Sequence, residues 1–85
     1  MAEAELQFSV MASEEESGIM FNSILPEIAS MKSERSKISI ERAGGGVLVM
    51  TIRAVDLTAM RAAVNTVIRL LNASYQTVEV LKNVG

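Results

Sequence analysis

The sequence predicts a two-layer α+β fold, in which a three-stranded antiparallel sheet carries two helices on one face. Residues 4–11 and 38–42 alternate apolar and polar side chains, a pattern typical of half-buried strands. The three glycines at 44–46 predict a tight hairpin turn. Residues 56–82 repeat apolar side chains every three or four positions, which predicts one long helix. The expected order is β-α-β-β-α, within one domain of residues 1–85.

Composition narrows the possible chemistry. The 85 residues are 49% hydrophobic and 21% charged, a balance typical of globular proteins. A domain of this size buries only about 60% of its unfolded surface, so a partner subunit would add useful stability. Cysteine and histidine are absent, which excludes disulfides, the commonest metal ligands and Ser-His or Cys-His catalysis. We therefore expect no cofactor, no metal site and no enzymatic activity.

The charge is unevenly distributed along the chain. Residues 1–34 contain seven glutamates and one lysine, a net charge of −6. Residues 35–85 contain seven basic and three acidic residues, a net charge of +4. One explanation of this asymmetry is that the acidic and basic residues form two solvent-exposed faces. The alternative is a modest basic surface that lies near an anionic partner such as RNA. No apolar run reaches the ~20 residues of a membrane span, and no signal peptide is recognisable, so we expect a cytoplasmic protein.

The first predicted helix begins with a clear N-terminal capping pattern and contains a helix-breaking proline. Ser13 followed by Glu16 is a capping box, and the apolar positions after it have helical spacing. Pro26 removes a backbone donor and clashes with the preceding turn. We therefore expect a kink there, or a helix end near Leu25. Residues 30–37 follow as a polar connection.

The third strand, residues 47–53, is apolar on both faces. Leu48, Met50 and Ile52 form one face, and Val47 and Val49 lie on the other. Such a strand suits the centre of a sheet that is covered on both sides. Inserted between the first two strands, it gives a sheet of order 1-3-2 with both helices on one face. The chain contains no cover for the other face, so Val47 and Val49 predict a dimer interface.

The long helix follows Asp56, whose carboxylate is a good N-cap. At about 1.5 Å per residue it reaches roughly 40 Å, whereas a typical strand covers only about 17–20 Å. Half of the helix is therefore expected to extend beyond the sheet. The half nearer Asp56, with Leu57, is expected in the core, and the half nearer Lys82 is expected to meet a partner. As an alternative, residues 77–81 are rich in β-branched side chains and could form a fourth strand of a ferredoxin-like fold.

Residues 56–71 resemble the signature helix of a known family. Its pattern is matched by Asp56, the pair Met60-Arg61, Asn65 and the run 68–70, and upstream segments 25–27 and 33–37 are also similar. The family is the small dimerisation subunit of the KEOPS complex, the Pcc/CTAG family. The resemblance covers nearly the whole chain, with Met60 replacing the usual leucine.

The resemblance implies a function in tRNA modification. KEOPS installs threonylcarbamoyl on a tRNA adenosine, and this subunit is non-catalytic. It forms a homodimer, or a heterodimer with a paralogue, and packs its helices against the catalytic ATPase-fold subunit. The residues expected to contact that partner are Met20, Ile24, Leu71, Tyr75, Val78 and Leu81. Contact with tRNA is expected to be indirect or weak. The residues expected to form the polar rim of the partner interface, or to contact tRNA, are Arg35, Arg61, Asn65 and Arg69. If they do neither, they form a solvated surface.

Two other functions fit parts of the pattern. A stand-alone KH-like RNA-binding module fits the size, but no GxxG lies between helices. Phe8, Phe21 and Tyr75 are the only aromatic residues, too few for a base-stacking platform. A ferredoxin-like dimeric ligand-sensing domain is favoured if residues 77–81 form a strand.

Overall fold

The computed structural model describes residues 4–84, with side chains through Lys82. Its elements are β1 (Ala4–Met11), α1 (Glu14–Ser30), β2 (Ser36–Gly44), β3 (Val47–Ala54) and α2 (Leu57–Val84). The strands form one sheet of order β1-β3-β2, and both pairings are antiparallel. The predicted α+β fold and strand order are confirmed. None of the helices in this part of the chain is long and apolar enough to cross a membrane.

The core lies between the sheet and the two helices, and β3 is at its centre. Met50 lies opposite Phe8 of β1 and Ile40 of β2, so one row of apolar side chains faces the helices across all three strands. Leu48, Met50 and Ile52 are completely buried. From the helices, the core receives Met20, Ile24, Ala63, Val67 and Val78.

Helix α1 begins as predicted but ends later than predicted. Ser13 Oγ accepts a hydrogen bond from the Glu16 amide at 3.1 Å, and Glu16 Oε1 accepts one from the Ser13 amide at 3.1 Å. The expected end near Leu25 is wrong, because the helix continues through Pro26 to Ser30. Pro26 lies on the exposed side of the helix, as does Asn22 four residues earlier. Water can therefore satisfy the carbonyl that loses its donor.

The glycine turn also anchors the start of α1. All three glycines have positive φ, at 84°, 61° and 84° for Gly44, Gly45 and Gly46, which confirms the predicted hairpin turn. The carbonyl of Gly46 accepts hydrogen bonds from the Ala12 amide at 3.0 Å and from the buried Ser17 hydroxyl. The turn therefore holds the β1–α1 junction in place, and sequence reasoning did not predict this role.

Helix α2 is continuous to Val84, so the alternative of a fourth strand at residues 77–81 is wrong. The second half of α2, which was expected to meet a partner, is partly covered by the chain itself. Ser74 and Val78 are each only 1% exposed, and Lys82 Nζ lies 3.0 Å from Glu16 Oε2 at the start of α1. Because α1 runs antiparallel to α2, it covers the part of α2 that the sheet is too short to reach.

Candidate protein-interaction site

The titratable side chains with shifted pKa values pair with one another on the helices. Among residues 4–84, no group of three or more aspartates or glutamates is placed to hold a metal ion. Hydrogen bonds from Lys82 and from the Ser13 backbone lower the pKa of Glu16 to about 2. A hydrogen bond with Glu79 raises the pKa of Tyr75. Both shifts therefore report contacts between side chains on α1 and α2 or within α2.

Three of the residues predicted to contact a partner are inside the protein. Met20 is 5% exposed, and Ile24 and Val78 are each 1% exposed. Their side chains belong to the core cluster between the helices and the sheet. Periodicity identifies the apolar side of a helix, but it does not say whether the chain or a partner covers that side. In this structure these three side chains are not available to a partner.

The other predicted contact residues lie at or near the surface of α2. Tyr75 is 56% exposed, Leu81 is 52% exposed and Leu71 is half-buried. Five apolar side chains follow one line along the helix at steps of three, four or seven residues. We call this line the α2 stripe: Leu57, Val64, Ile68, Leu71 and Tyr75.

The middle of the α2 stripe, around Ile68, faces away from α1, whereas its end at Tyr75 lies on the same side of α2 as Lys82, which pairs with Glu16 of α1. At 100° per residue, its members are turned away from Leu70 and Ala73, which line a groove shared with α1. Helix α2 contacts all three strands, β3 most extensively and β1 least, whereas α1 packs chiefly on β2. Strand β1 is an edge strand with one row of unpaired backbone groups. Leu57, at 76% exposed, was expected in the core; helical spacing places Leu57 at the margin of the apolar side.

The groove between the helices, which we call the interhelical groove, is a second candidate surface. It has a volume of about 460 Å³ and is lined by Ser23, Ile24, Glu27, Met31, Thr66, Arg69, Leu70 and Ala73. Its floor is apolar and its rim carries one glutamate and one arginine. A groove of this composition between two adjacent helices suits a helix of another subunit.

The predicted dimer interface lies on the open face of the sheet. Val47 and Val49 are half-buried there, and Met11, 81% exposed, lies opposite Val47. The rest of this face is largely polar. For example, Gln7 Nε2 donates to Thr51 Oγ1 at 3.2 Å. The apolar patch on this face is therefore small.

The structure separates the predicted polar contact residues. Arg35 Nη2 lies 2.6 Å from Asp56 Oδ2, and Asp56 Oδ1 also caps α2 by accepting from the Ala59 amide at 2.8 Å. Arg61 and Asn65 are exposed on α2. Arg69 borders the interhelical groove, and its Nη2 lies 3.4 Å from Thr66 Oγ1. Arg35 is thus part of the cap at the β3–α2 junction, and of the four residues only Arg69 lines the interhelical groove.

Comparison with known proteins identifies the family. A chain in the crystal structure of the binary complex Gon7-Pcc1 is similar to this chain, with a TM-score of 0.80 and 16% identity over 95% of this chain and 99% of that chain. At this identity the similarity shows a shared fold. Curated protein sequences give no significant match. The family model described as "Transcription factor Pcc1" matches residues 3–79. The chain therefore belongs to the Pcc1 family, which confirms the resemblance to the small KEOPS subunit.

Proposed function

We propose that this chain is a non-catalytic assembly subunit of the KEOPS complex, acting in the cytoplasm. It pairs with a second copy or a paralogue and binds the catalytic ATPase-fold subunit through its helices. The observation that carries this proposal is the α2 stripe, because Leu57, Ile68 and Tyr75 are each more than half exposed along one line of the helix. Contiguous exposed apolar side chains are typical of subunit interfaces.

The α2 stripe and the β1 edge together suit a second copy of the chain. Pairing of β1 with β1 of the other copy, antiparallel about a two-fold axis, extends the sheet to six strands. The same axis brings the two α2 stripes together above the joined sheets. This arrangement covers backbone groups and apolar side chains at once, whereas Val47 and Val49 offer only a small patch. The interface predicted at Val47 and Val49 stays a prediction.

The interhelical groove is the surface that we assign to the catalytic subunit. It lies on the side of α2 opposite the stripe, so both partners can bind at the same time. Ala73, in the middle of the groove, is exposed. Because α1 and α2 form its walls, a helix of the catalytic subunit seated there completes a three-helix layer.

The proposal is tested by measuring the molar mass by size-exclusion chromatography with light scattering, for the chain alone and with a KEOPS catalytic subunit. Ile68→Glu is expected to give a monomer that still binds the catalytic subunit. Ala73→Glu is expected to remain a dimer and to lose the catalytic subunit. Val80→Glu, with a side chain 60% exposed outside the α2 stripe, is the matched control for Ile68→Glu and is expected to remain a dimer.

The dimer interface predicted at Val47 and Val49 is tested with a separate variant. If Val49→Glu gives a monomer and Ile68→Glu does not, dimerisation occurs through the open sheet face. A wild-type monomer that does not bind the catalytic subunit contradicts the whole proposal. Contact with tRNA, by Arg61, Asn65 and Arg69, is proposed only as a weak addition, because these side chains form a sparse row on a chain of net charge −2.

A further inference from the structure

A second groove lies at the end of the molecule where α1 finishes and α2 begins, and it shares only Met31 with the interhelical groove. We call it the connection groove. Its volume is about 790 Å³, and its walls are the end of α1, the connection after it, and the adjoining ends of β2 and β3. Its apolar lining is Ile28, Met31, Ile38, Ala54 and Val55, and its charged lining is Lys32, Glu34, Arg35, Lys37 and Arg53.

The walls of the connection groove are held in place by two contacts. The Val55 amide donates to the Arg35 carbonyl at 2.9 Å. The guanidinium of the same arginine pairs with Asp56 at 2.6 Å. A backbone hydrogen bond and an ion pair therefore join the connection to the β3–α2 junction. The groove is thus preformed, which lowers the entropic cost of binding.

The rim of the groove has a surplus of positive charge. Lys37 lies directly opposite Arg53 in the sheet register, so two cationic side chains adjoin on β2 and β3. Arg53 lies 3.6 Å from Glu5 on its other side. Within the part of the chain that the structure describes, neither Lys32 nor Lys37 forms an ion pair. Among these residues, the two lysines have no carboxylate partner that would compete with a negatively charged ligand.

The lining favours an apolar ligand with acidic groups over a nucleic acid. Met31 and Val55 are 37% and 36% exposed and present an apolar surface between the cations. No aromatic side chain lines the groove to stack a base. An extended peptide that alternates apolar and acidic side chains matches both features, because the apolar groups fill the groove while carboxylates reach the lysines.

We propose that the connection groove binds a short acidic, apolar peptide segment of a partner protein, with Lys32 and Lys37 pairing with its carboxylates. The site shares only Met31 with the interhelical groove and no residue with the α2 stripe. The proposal therefore adds a third point of attachment to a chain whose other two surfaces are assigned to structural partners.

The test uses fluorescence anisotropy with a labelled peptide of about ten residues that alternates leucine and glutamate, added to the full chain. Lys37→Glu is expected to weaken binding at least about tenfold, because it reverses a rim charge, and Met31→Ser is expected to weaken it by removing apolar contact. Arg42→Glu, on the same strand, makes the same change in net charge away from the groove and is expected to bind like the wild type. Circular dichroism checks that each variant folds.

Two comparison ligands make the test decisive. A peptide with serine in place of leucine and a single-stranded oligouridylate of equal charge are both expected to bind more weakly than the leucine peptide. The proposal is overturned if the serine peptide binds equally well, or if Lys37→Glu and Arg42→Glu weaken binding to the same extent. Tighter binding of the RNA, lost in Lys37→Glu, would also overturn it and make the groove a nucleic-acid site. None of these readings depends on whether the chain binds a KEOPS subunit.

Discussion

Lys82 Nζ lies 3.0 Å from Glu16 Oε2, so that the last turns of α2 are tied to the first turn of α1. The two residues are 66 positions apart in sequence. Glu16 has two roles in this contact, because its other carboxylate oxygen accepts from the Ser13 amide in the capping box. One side chain thus stabilises the start of one helix and the position of the other.

This arrangement predicts a specific pH dependence of stability. The pKa of Glu16 is lowered from 4.5 to about 2 in the folded chain, so the folded state holds the proton less tightly than the unfolded state does. The contribution of this carboxylate is fully present above pH 4.5 and is lost as the pH falls towards 2. NMR titration of the Glu16 carboxyl in wild type and Lys82→Met should show a higher pKa in the variant. An unchanged pKa would mean that Lys82 does not contact Glu16 in solution.

Gly46 is predicted to tolerate no side chain. A Cβ there would lie 1.9 Å from the Ala12 carbonyl oxygen at φ +84°, whereas a Cβ at Gly45 would meet nothing within 4 Å. Gly45→Ala is expected to cost about 1–2 kcal/mol, the ordinary cost of a left-handed conformation. Gly46→Ala should cost clearly more or prevent folding, since the β1–α1 junction must move. Urea unfolding of the two variants provides the comparison, and equal midpoints would contradict this account of the turn.

Val78 and Val80 are predicted to respond very differently to the same substitution. Val78 is 1% exposed and Val80 is 60% exposed. Val78→Glu places an unpaired charge in the core and should lower the free energy of unfolding by at least about 3 kcal/mol. Val80→Glu should change the unfolding free energy by less than about 0.5 kcal/mol. Thermal unfolding distinguishes them, and a stable Val78→Glu variant would show that α2 does not pack against α1 as described.

Asp56 is predicted to contribute more to stability than its ion-pair partner does. Asp56→Ala removes both the cap of α2, usually worth about 1 kcal/mol, and the pair with Arg35. Arg35→Ala removes only an ion pair whose side chains are 61% and 49% exposed, and such pairs contribute about 0–1 kcal/mol. The double variant should be about as stable as Asp56→Ala alone. Urea unfolding measures the stability of the three variants. A greater loss of stability in Arg35→Ala than in Asp56→Ala would mean that the ion pair, rather than the cap, holds the β3–α2 junction.

The elements of this fold could be predicted from the sequence because each has a local cause. Alternation indicates the strands, the Ser13 capping box and Asp56 start the helices, and the glycine turn needs positive φ. The strand order then follows from the crossover and the hairpin. The late end of α1 could not be predicted in this way. Whether Pro26 breaks a helix depends on which side of the helix is solvated and on how firmly Ile28 is packed.

The surfaces, in contrast, are a property of the tertiary structure. Helical spacing identified the apolar side of α2, but α1 and the sheet decide which part of that side is covered. Val78 is buried because α1 reaches it, while Ile68 and Leu57 are exposed because they lie on the side away from α1. Sequence periodicity therefore determined the helix and its apolar side. The packing of the two helices decided which residues remain for a partner, because that depends on contacts between residues far apart in the chain.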